Sequence, residues 1–471
     1  MSWYDASKDS FTLKTAAELA GLAKLVNEGN TLEGKTVELA NDIALAGEWT
    51  PIGTKDNAFA GTFNGNGKTI SGLVITDAAG GYKGLFGYSK GTVKNFTIAG
   101  NIGSASAYIT SGSDNIGGAV GYNDGTVSGI TGNVNVYVKA GIYAVGGIVG
   151  QNGDGALVSK CVNNGAVTGT KHTGGVVGRN YEKIDRCVNN GTITGNGGSK
   201  DGIGGITGLA GNKNATYQST VTNCYNTGTI SNNNGRWHGG IVGMADKAAT
   251  VTNCYDIGTI VKGYSWNWNP IIGHVDSYYS TVHDNYSLEG LNAGDSTAST
   301  QPNTIGTVKS ESEFKSVDMI GLLGSAYTMD TDNINSGYPV LDWQASSTDV
   351  TGNITITKGG IYNIAEGTTG TITISTAELV TLVGPGSDKE LKSLAINYTV
   401  AGANLRLSDI YLNNIGGAAA NSINFTGTGN SLMTAGTVII EHQPSGYSAK
   451  AAVHVPADGD LTISGSGTMY L

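Results

Sequence analysis

Apolar residues in this chain come in runs of three to five, and most runs end at a glycine or an Asn-Gly pair. Runs so short, and so rich in Val, Ile and Thr, predict strands. One stretch differs. Thr15-Ala16-Ala17-Glu18 has capping-box spacing, and Leu19, Leu22, Ala23, Leu25 and Val26 follow at helical intervals, which predicts a helix over 16–28. Lys35–Leu39 and Gly67–Ile70 read as strands after it. Ser310-Glu311-Ser312-Glu313 opens a second expected helix, 311–323.

The runs repeat. Gly117-Gly118-Ala119-Val120-Gly121 returns at Gly146–Gly150, Gly174–Gly178, Gly204–Gly208 and Gly239–Gly243, starting 28 to 35 residues apart. Gly84-Leu85-Phe86-Gly87 and Pro270-Ile271-Ile272-Gly273 are degenerate outer copies. A second phrase alternates with it: Cys161-Val162-Asn163-Asn164-Gly165, Cys187-Val188-Asn189-Asn190-Gly191, Cys224-Tyr225-Asn226-Thr227-Gly228 and Cys254-Tyr255-Asp256-Ile257-Gly258. A unit with three short strands closes one coil, and stacked coils sit about 4.8 Å apart. The expected fold is therefore all-β: a parallel β-helix or solenoid of glycine-rich repeats with an N-terminal capping helix. A helical solenoid fails, because no unit holds a ten-residue amphipathic run free of glycine.

Stacking aligns equivalent residues. Phe96, Ile130, Cys161, Cys187, Cys224 and Cys254 should form one interior column. Asn163, Asn189 and Asn226 should form a hydrogen-bonded amide column that Asp256 breaks. The glycine after each Asn pair is expected to take positive φ at a corner. Domain limits follow: 1–80 for the cap helix and first coils, 81–287 for the repeats, 288–346 for a non-repeating cap, and 347–471 for a second β-rich domain, itself read as β-helical. Its strands are expected at Gly352–Thr357, Gly370–Ile374, Leu405–Tyr411 and Leu461–Ile463.

Composition narrows the function. The chain has 74 Gly, 7 Pro, 14% charged residues and a net charge of −10. It lacks a basic run, which disfavours nucleic acid as a partner. It also lacks 18 consecutive apolar residues, so no transmembrane helix is expected. Met1-Ser2-Trp3-Tyr4-Asp5 has no signal-peptide pattern, and strand-like sequence at the other end implies a continuing natural chain.

The two repeated phrases resemble the GLUG repeat of bacterial surface proteins. So do Trp49-Thr50-Pro51-Ile52-Gly53, Phe59–Ile70 and Gly337-Tyr338-Pro339-Val340-Leu341. The resemblance covers roughly 1–346 and implies a β-solenoid in an extracellular or cell-surface setting. It implies no defined activity, since such repeats accompany immunoglobulin A-specific metallopeptidases as non-catalytic parts. Residues 350–471 resemble a β-helical bacterial carbohydrate-binding domain, through Ile354–Tyr362 and Gly459–Gly467. Some of those relatives bind calcium, with no ligand residues that map here.

Candidate chemistry is sparse. The six histidines include no His-Glu-x-x-His pair. Gly87-Tyr88-Ser89-Lys90-Gly91 fits a nucleophile elbow in letters only, because strands flank it on both sides. Gly61–Thr69 has one residue too many for a P-loop. The four cysteines lie in a line rather than converging, so buried apolar packing is their expected role, and zinc is not. Adjacent rungs would leave one or two disulfides within reach. Asp154, Glu182, Asp185 and Asp201 scatter across repeat positions, which argues against the alternative of a polysaccharide lyase or glycoside hydrolase. No catalytic residue, metal or other cofactor is assigned. Aligning the Gly-Gly phrases places Tyr143, His172, Arg236, Trp237, Tyr264, Trp266 and Trp268 at one corner, where flat rings can stack on sugars or cover the solenoid's end. The expectation is a monomeric, non-catalytic adhesin whose partners are polysaccharides or host glycoprotein glycans. A structural spacer is the other alternative.

Overall fold

A computed structural model describes residues 3–471 apart from 78–80, 111–113, 140–141, 197–201, 212–217, 233–236, 262–267, 276–279, 292–305, 415–420 and 443–450. The chain forms two compact units, Met1–Lys309 and Ser310–Leu471.

The first unit is a parallel β-solenoid. All its described strand pairings are parallel, and each joins a strand to its counterpart one coil away. Each full coil feeds three sheets. In one coil the strands are Thr126–Tyr137, Ala144–Gly146 and Val149–Asn152. Register stacks Val120, Val149, Val177, Thr207, Val242 and Ile272 in one inward column. Val127, Val158, Ile184, Val221 and Val251 form another. All are fully buried, and each buried Val or Ile is worth roughly 1.5–3 kcal/mol.

Helix α1 spans Ala16–Asn27. Thr15 and Glu18 complete its capping box, and Leu19, Leu22, Ala23 and Val26 sink into the same core. Asn27 then ties the helix to the first full coil, with Nδ2 donating to Pro51 O and Oδ1 accepting from Gly53 N.

Two amide ladders run through the interior. Asn163 donates to Asn189, Asn189 to Asn226, and Asn226 to Asp256, at 2.7–2.8 Å. Asp256 therefore does not break the column; it ends the run as an acceptor. The sequence did not flag the second ladder, Asn123 to Asn152 to Asn180 to Ser219. Both ladders are buried. Their bonds carry weight because an unmade bond at such a depth costs about 1–3 kcal/mol.

The ladders explain why the two phrases travel together. A Cβ on Gly147, Gly175, Gly205 or Gly240 would collide with the side chain of Asn163, Asn189, Asn226 or Asp256 respectively. The second glycine of one phrase thus makes room for the Asn of the other. The glycines after the Asn pairs serve differently from the expectation. Gly165, Gly191, Gly228 and Gly258 do not have positive φ. Instead, each lies so close to the preceding coil that a Cβ would strike a backbone carbonyl there. The left-handed turn falls one residue before the cysteine column, at Asn95, Gly129, Lys160, Arg186, Asn223, Asn253 and Asp284, with φ between 52° and 62°.

The second unit opens with two short helices, α2 (Glu311–Phe314) and α3 (Val317–Leu323), where one was expected. The break is at Lys315-Ser316, with Ser316 in extended conformation at the cap of α3. Two parallel sheets follow. One runs from Ser347–Val350 through Gly360–Ile364, Leu379–Val383, Asn404–Asn413 and Asn430–Glu441 to Leu461–Gly465; the other runs from Ile354–Ile356 through Gly370–Ile374, Leu394–Tyr398 and Ile423–Asn424 to Val453–His454. The unit therefore begins at Ser310, earlier than the expected boundary at 347. Hydrogen bonds tie 310–346 to these sheets: Arg406 Nη1 donates to Tyr327 O at 2.6 Å, and Lys358 Nζ to Thr331 O at 3.0 Å.

Candidate functional site

The four cysteines are buried free thiols. Cys161, Cys224 and Cys254 direct Sγ to carbonyls of their own coil, Ser159, Thr222 and Thr252. Burial raises the thiol pKa of Cys161 and Cys224. At Cys187 burial is outweighed by hydrogen bonds from the Cys161 and Cys224 thiols, which lower it to about 5. All four thiols are fully buried, out of reach of a solvent-borne substrate. Among the described residues no group of three or more His, Cys, Asp or Glu converges to hold a metal.

The corner made by the Gly-Gly phrase is chemically richer. The residue after each phrase stacks on its counterpart, giving a row of Tyr88, Tyr122, Gln151, Arg179, Leu209, Met244 and His274. Across the corner runs a second row. Tyr82, Asn115 and Ala144 are in register, as are Gly202 and Trp237. His172 falls between them, next to Thr173, which pairs with Val145 and Ile203.

The rows touch through their rings. Tyr88 and Tyr122 stack at 4.6 Å and 14°, and Tyr82 meets both edge-on at 5.3 and 5.8 Å. At the other end Trp237 lies flat on His274, at 4.2 Å and 5°. Between these clusters Lys171 Nζ stands 4.5 Å from the centre of the Tyr143 ring, and the Arg179 guanidinium 5.9 Å from it. Tyr143 is 41% exposed. Arg179 Nη1 also reaches Gln151 Oε1 at 3.4 Å.

Acidic groups mark the tyrosine end. The Tyr88 hydroxyl donates to Asp124. Burial, then that carboxylate, raises the Tyr88 pKa, while Tyr122 is pushed up to about 12 by burial and Asp124. Both phenols stay protonated, the Tyr88 proton being committed to Asp124. Beside Tyr82 opens a cleft of about 480 Å³ whose lining includes Trp49, Glu48, Asp56, Asp77 and Lys83. The strip thus holds aromatic faces, hydroxyls, amides and both signs of charge on rigid rungs.

Of the residues picked from sequence, Tyr143, His172 and Trp237 stand on this strip. Arg236, Tyr264 and Trp266 lie outside the described residues. Trp268 is a correction. It pairs with His238 rather than Trp237, is 6% exposed, and packs in the apolar core, so it has no free face. Strand alternation is the reason: Trp268 is one residue past the outward position. Tyr82, Tyr88, Tyr122, Gln151, Arg179 and His274 went unnoticed, although all but Tyr82 directly follow a copy of the Gly-Gly phrase.

No family model matches the chain. Over 103 residues it is 33% identical to a protein of Evansella cellulosilytica provisionally named Gly-rich membrane protein, a match covering 20% of this chain and 11% of that protein. Over 83 residues it is 42% identical to Halomucin of Haloquadratum walsbyi, covering 17% of this chain and 1% of Halomucin. The matched segments therefore span about a tenth and a hundredth of these relatives. A crystal structure from Bacteroides ovatus, provisionally titled immunoglobulin A1 protease, aligns with a TM-score of 0.44 at 20% identity, over 72% of this chain and 94% of that one. No described helix is long and apolar enough to cross a membrane.

Proposed function

We propose that this chain is a non-catalytic, glycan-binding solenoid of an extracellular or cell-surface protein, and that the corner strip is its binding face. One observation carries the reading: rings and cations recur along one corner, outside the apolar core, on every rung from Tyr88 to Trp237 except that of Leu209, with Tyr143 the most open at 41% exposed and Tyr88 supporting Tyr122 from beneath at 8%. Rigid rings on a polar frame offer apolar faces to the C–H side of a sugar, and neighbouring polar groups take its hydroxyls. The names of the two curated relatives and the resemblance of the phrases to GLUG repeats support the surface setting. On this reading the repeats are the recognition module and residues 347–471 are a second β-helical carbohydrate-binding domain.

A glycan array followed by affinity electrophoresis tests it. The native chain should be retarded by at least one polysaccharide, and Tyr88→Ala with Tyr122→Ala, or Trp237→Ala, should weaken that binding about tenfold, or about 1.4 kcal/mol. Binding that survives all three substitutions removes the strip from the reading. A native chain that binds no glycan leaves the spacer alternative standing.

A further inference from the structure

Resting on that reading, we infer that the polymer lying along the strip is a linear, uronate-bearing polysaccharide, with its carboxylates at the middle of the strip and uncharged sugar faces on the tyrosines. The geometry comes first. From the Tyr88 rung to the His274 rung are six steps, about 29 Å at the inter-strand spacing of about 4.8 Å. That step is close to the advance of one pyranose along an extended chain. A linear polymer running parallel to the solenoid axis can therefore meet each rung with one sugar.

The charge pattern comes next. The chain carries a net charge of −10, so a cationic patch on it needs a reason. Lys171 and Arg179 supply one at mid-strip. Among the described residues neither makes an ion pair, and the guanidinium of Arg179 is half-buried beside the Tyr143 ring. Their only described polar or ring partners are the Tyr143 face and the Gln151 amide. The terminal nitrogens of a guanidinium donate to a planar carboxylate with fixed direction, and an ammonium beside it adds charge without fixing direction. Tyr143 then lies beneath the same sugar. At the tyrosine end the sign reverses: Asp124 accepts from Tyr88, and Asp114 and Asp56 raise the Tyr82 pKa in addition to burial. Carboxylates there repel an anionic group and accept sugar hydroxyls. The polymer is thus read in two parts, acidic over Tyr143 and hydroxyl-rich over Tyr82, Tyr88 and Tyr122.

The test compares polygalacturonate oligomers with neutral β-glucan oligomers of equal length, on the immobilised full chain at low and moderate salt. The native chain should bind polygalacturonate at least about tenfold more tightly, with the preference shrinking as salt screens the charges. Lys171→Gln with Arg179→Gln should bring the preference to about one, and Arg179→Lys should keep part of it. Lys171→Gln alone provides the same readout should the Arg179 variant unfold. Equal binding of the two polymers by the native chain, or a preference that survives the double substitution, overturns the inference while leaving the platform in place. Binding of neither polymer overturns both.

Discussion

The two units build similar parallel coils from different material. The first uses a short vocabulary, so its interior contains ladders of identical side chains, such as Asn163, Asn189 and Asn226, each bonded to the next. The second has no phrase in common between coils. Its columns are apolar: Ile354, Ile372, Ile396, Ile423 and Val453 in one sheet, Val380, Leu405, Leu432 and Ile463 in the other. Apolar columns tolerate substitution if volume is kept, whereas a polar ladder fails when one member is removed, because its neighbours lose their partners. Repetition in the first unit is therefore a requirement of its stacked polar ladders; in the second, buried Arg406, Asn414 and Asn430 donate to backbone carbonyls instead, which asks for no repeated partner.

The sharpest way to break this contrast is to remove one rung of the ladder. Asn189→Ala removes one of the two partners of Asn163 Nδ2, which keeps Gly165 O, and of Asn226 Oδ1, which keeps Gly228 N, and should lower the stability of the first unit by roughly 1–3 kcal/mol. Asn397→Ala, on an outer row of the second unit, should change stability by less than about 0.5 kcal/mol. Urea unfolding, with hydrogen exchange read by segment, distinguishes the two. Equal effects would mean that the ladder is ornamental.

Glycine gives the next contrast. Gly191→Ala drives a methyl into the Gly165 carbonyl of the neighbouring coil, and a loss of roughly 2–4 kcal/mol is expected from a contact that cannot relax without unstacking. Gly402→Ala in the second unit has open space but a φ of 68°, so only left-handed strain of roughly 1–2 kcal/mol applies. The same urea midpoints report both.

Proton linkage separates the units further. Burial raises the Asp256 carboxyl from 3.8 to about 8, and burial lowers His238 from 6.5 to about 4. Between pH 4 and 8 the folded chain keeps a proton on Asp256 that the unfolded chain has released, so this residue's effect on stability worsens as pH rises through that window. Between pH 6.5 and 4 the unfolded chain binds a proton that folded His238 refuses, so the histidine's effect worsens as pH falls. The two nearly cancel below pH 6.5. From pH 6.5 to 8 Asp256 therefore contributes a decline in the first unit's stability of about 1.4 kcal/mol per pH unit at most, opposed by the lowered Cys187 thiol, which titrates near 5 in the folded chain. Asp256→Asn should flatten that decline; if the slope persists in thermal unfolding, Asp256 is not its source. The smallest effect is at the cap: Thr15→Ala should cost about 1 kcal/mol, localised by exchange to α1.

Much of this was legible because repetition made it so. The helix at 16–28, the strand at Gly370–Ile374 and the cysteine column all emerge from spacing alone. Three features did not. The left-handed residue before each cysteine is Lys, Arg or Asn, so no single letter marks it. The row after the Gly-Gly phrase varies from Tyr to Arg to His, since it lies outside the apolar core whose packing keeps the interior columns uniform. The inward turn of Trp268 depends on a one-residue register that loop length obscures.

Hydroxyl-radical footprinting of the native chain, with and without polygalacturonate, tests the central claim most directly. Protection concentrated on Tyr82, Tyr122, Tyr143 and Trp237, with the rest of the surface unchanged, is the predicted result. Protection confined to any other face, with those four residues still labelled at the free rate, would contradict it.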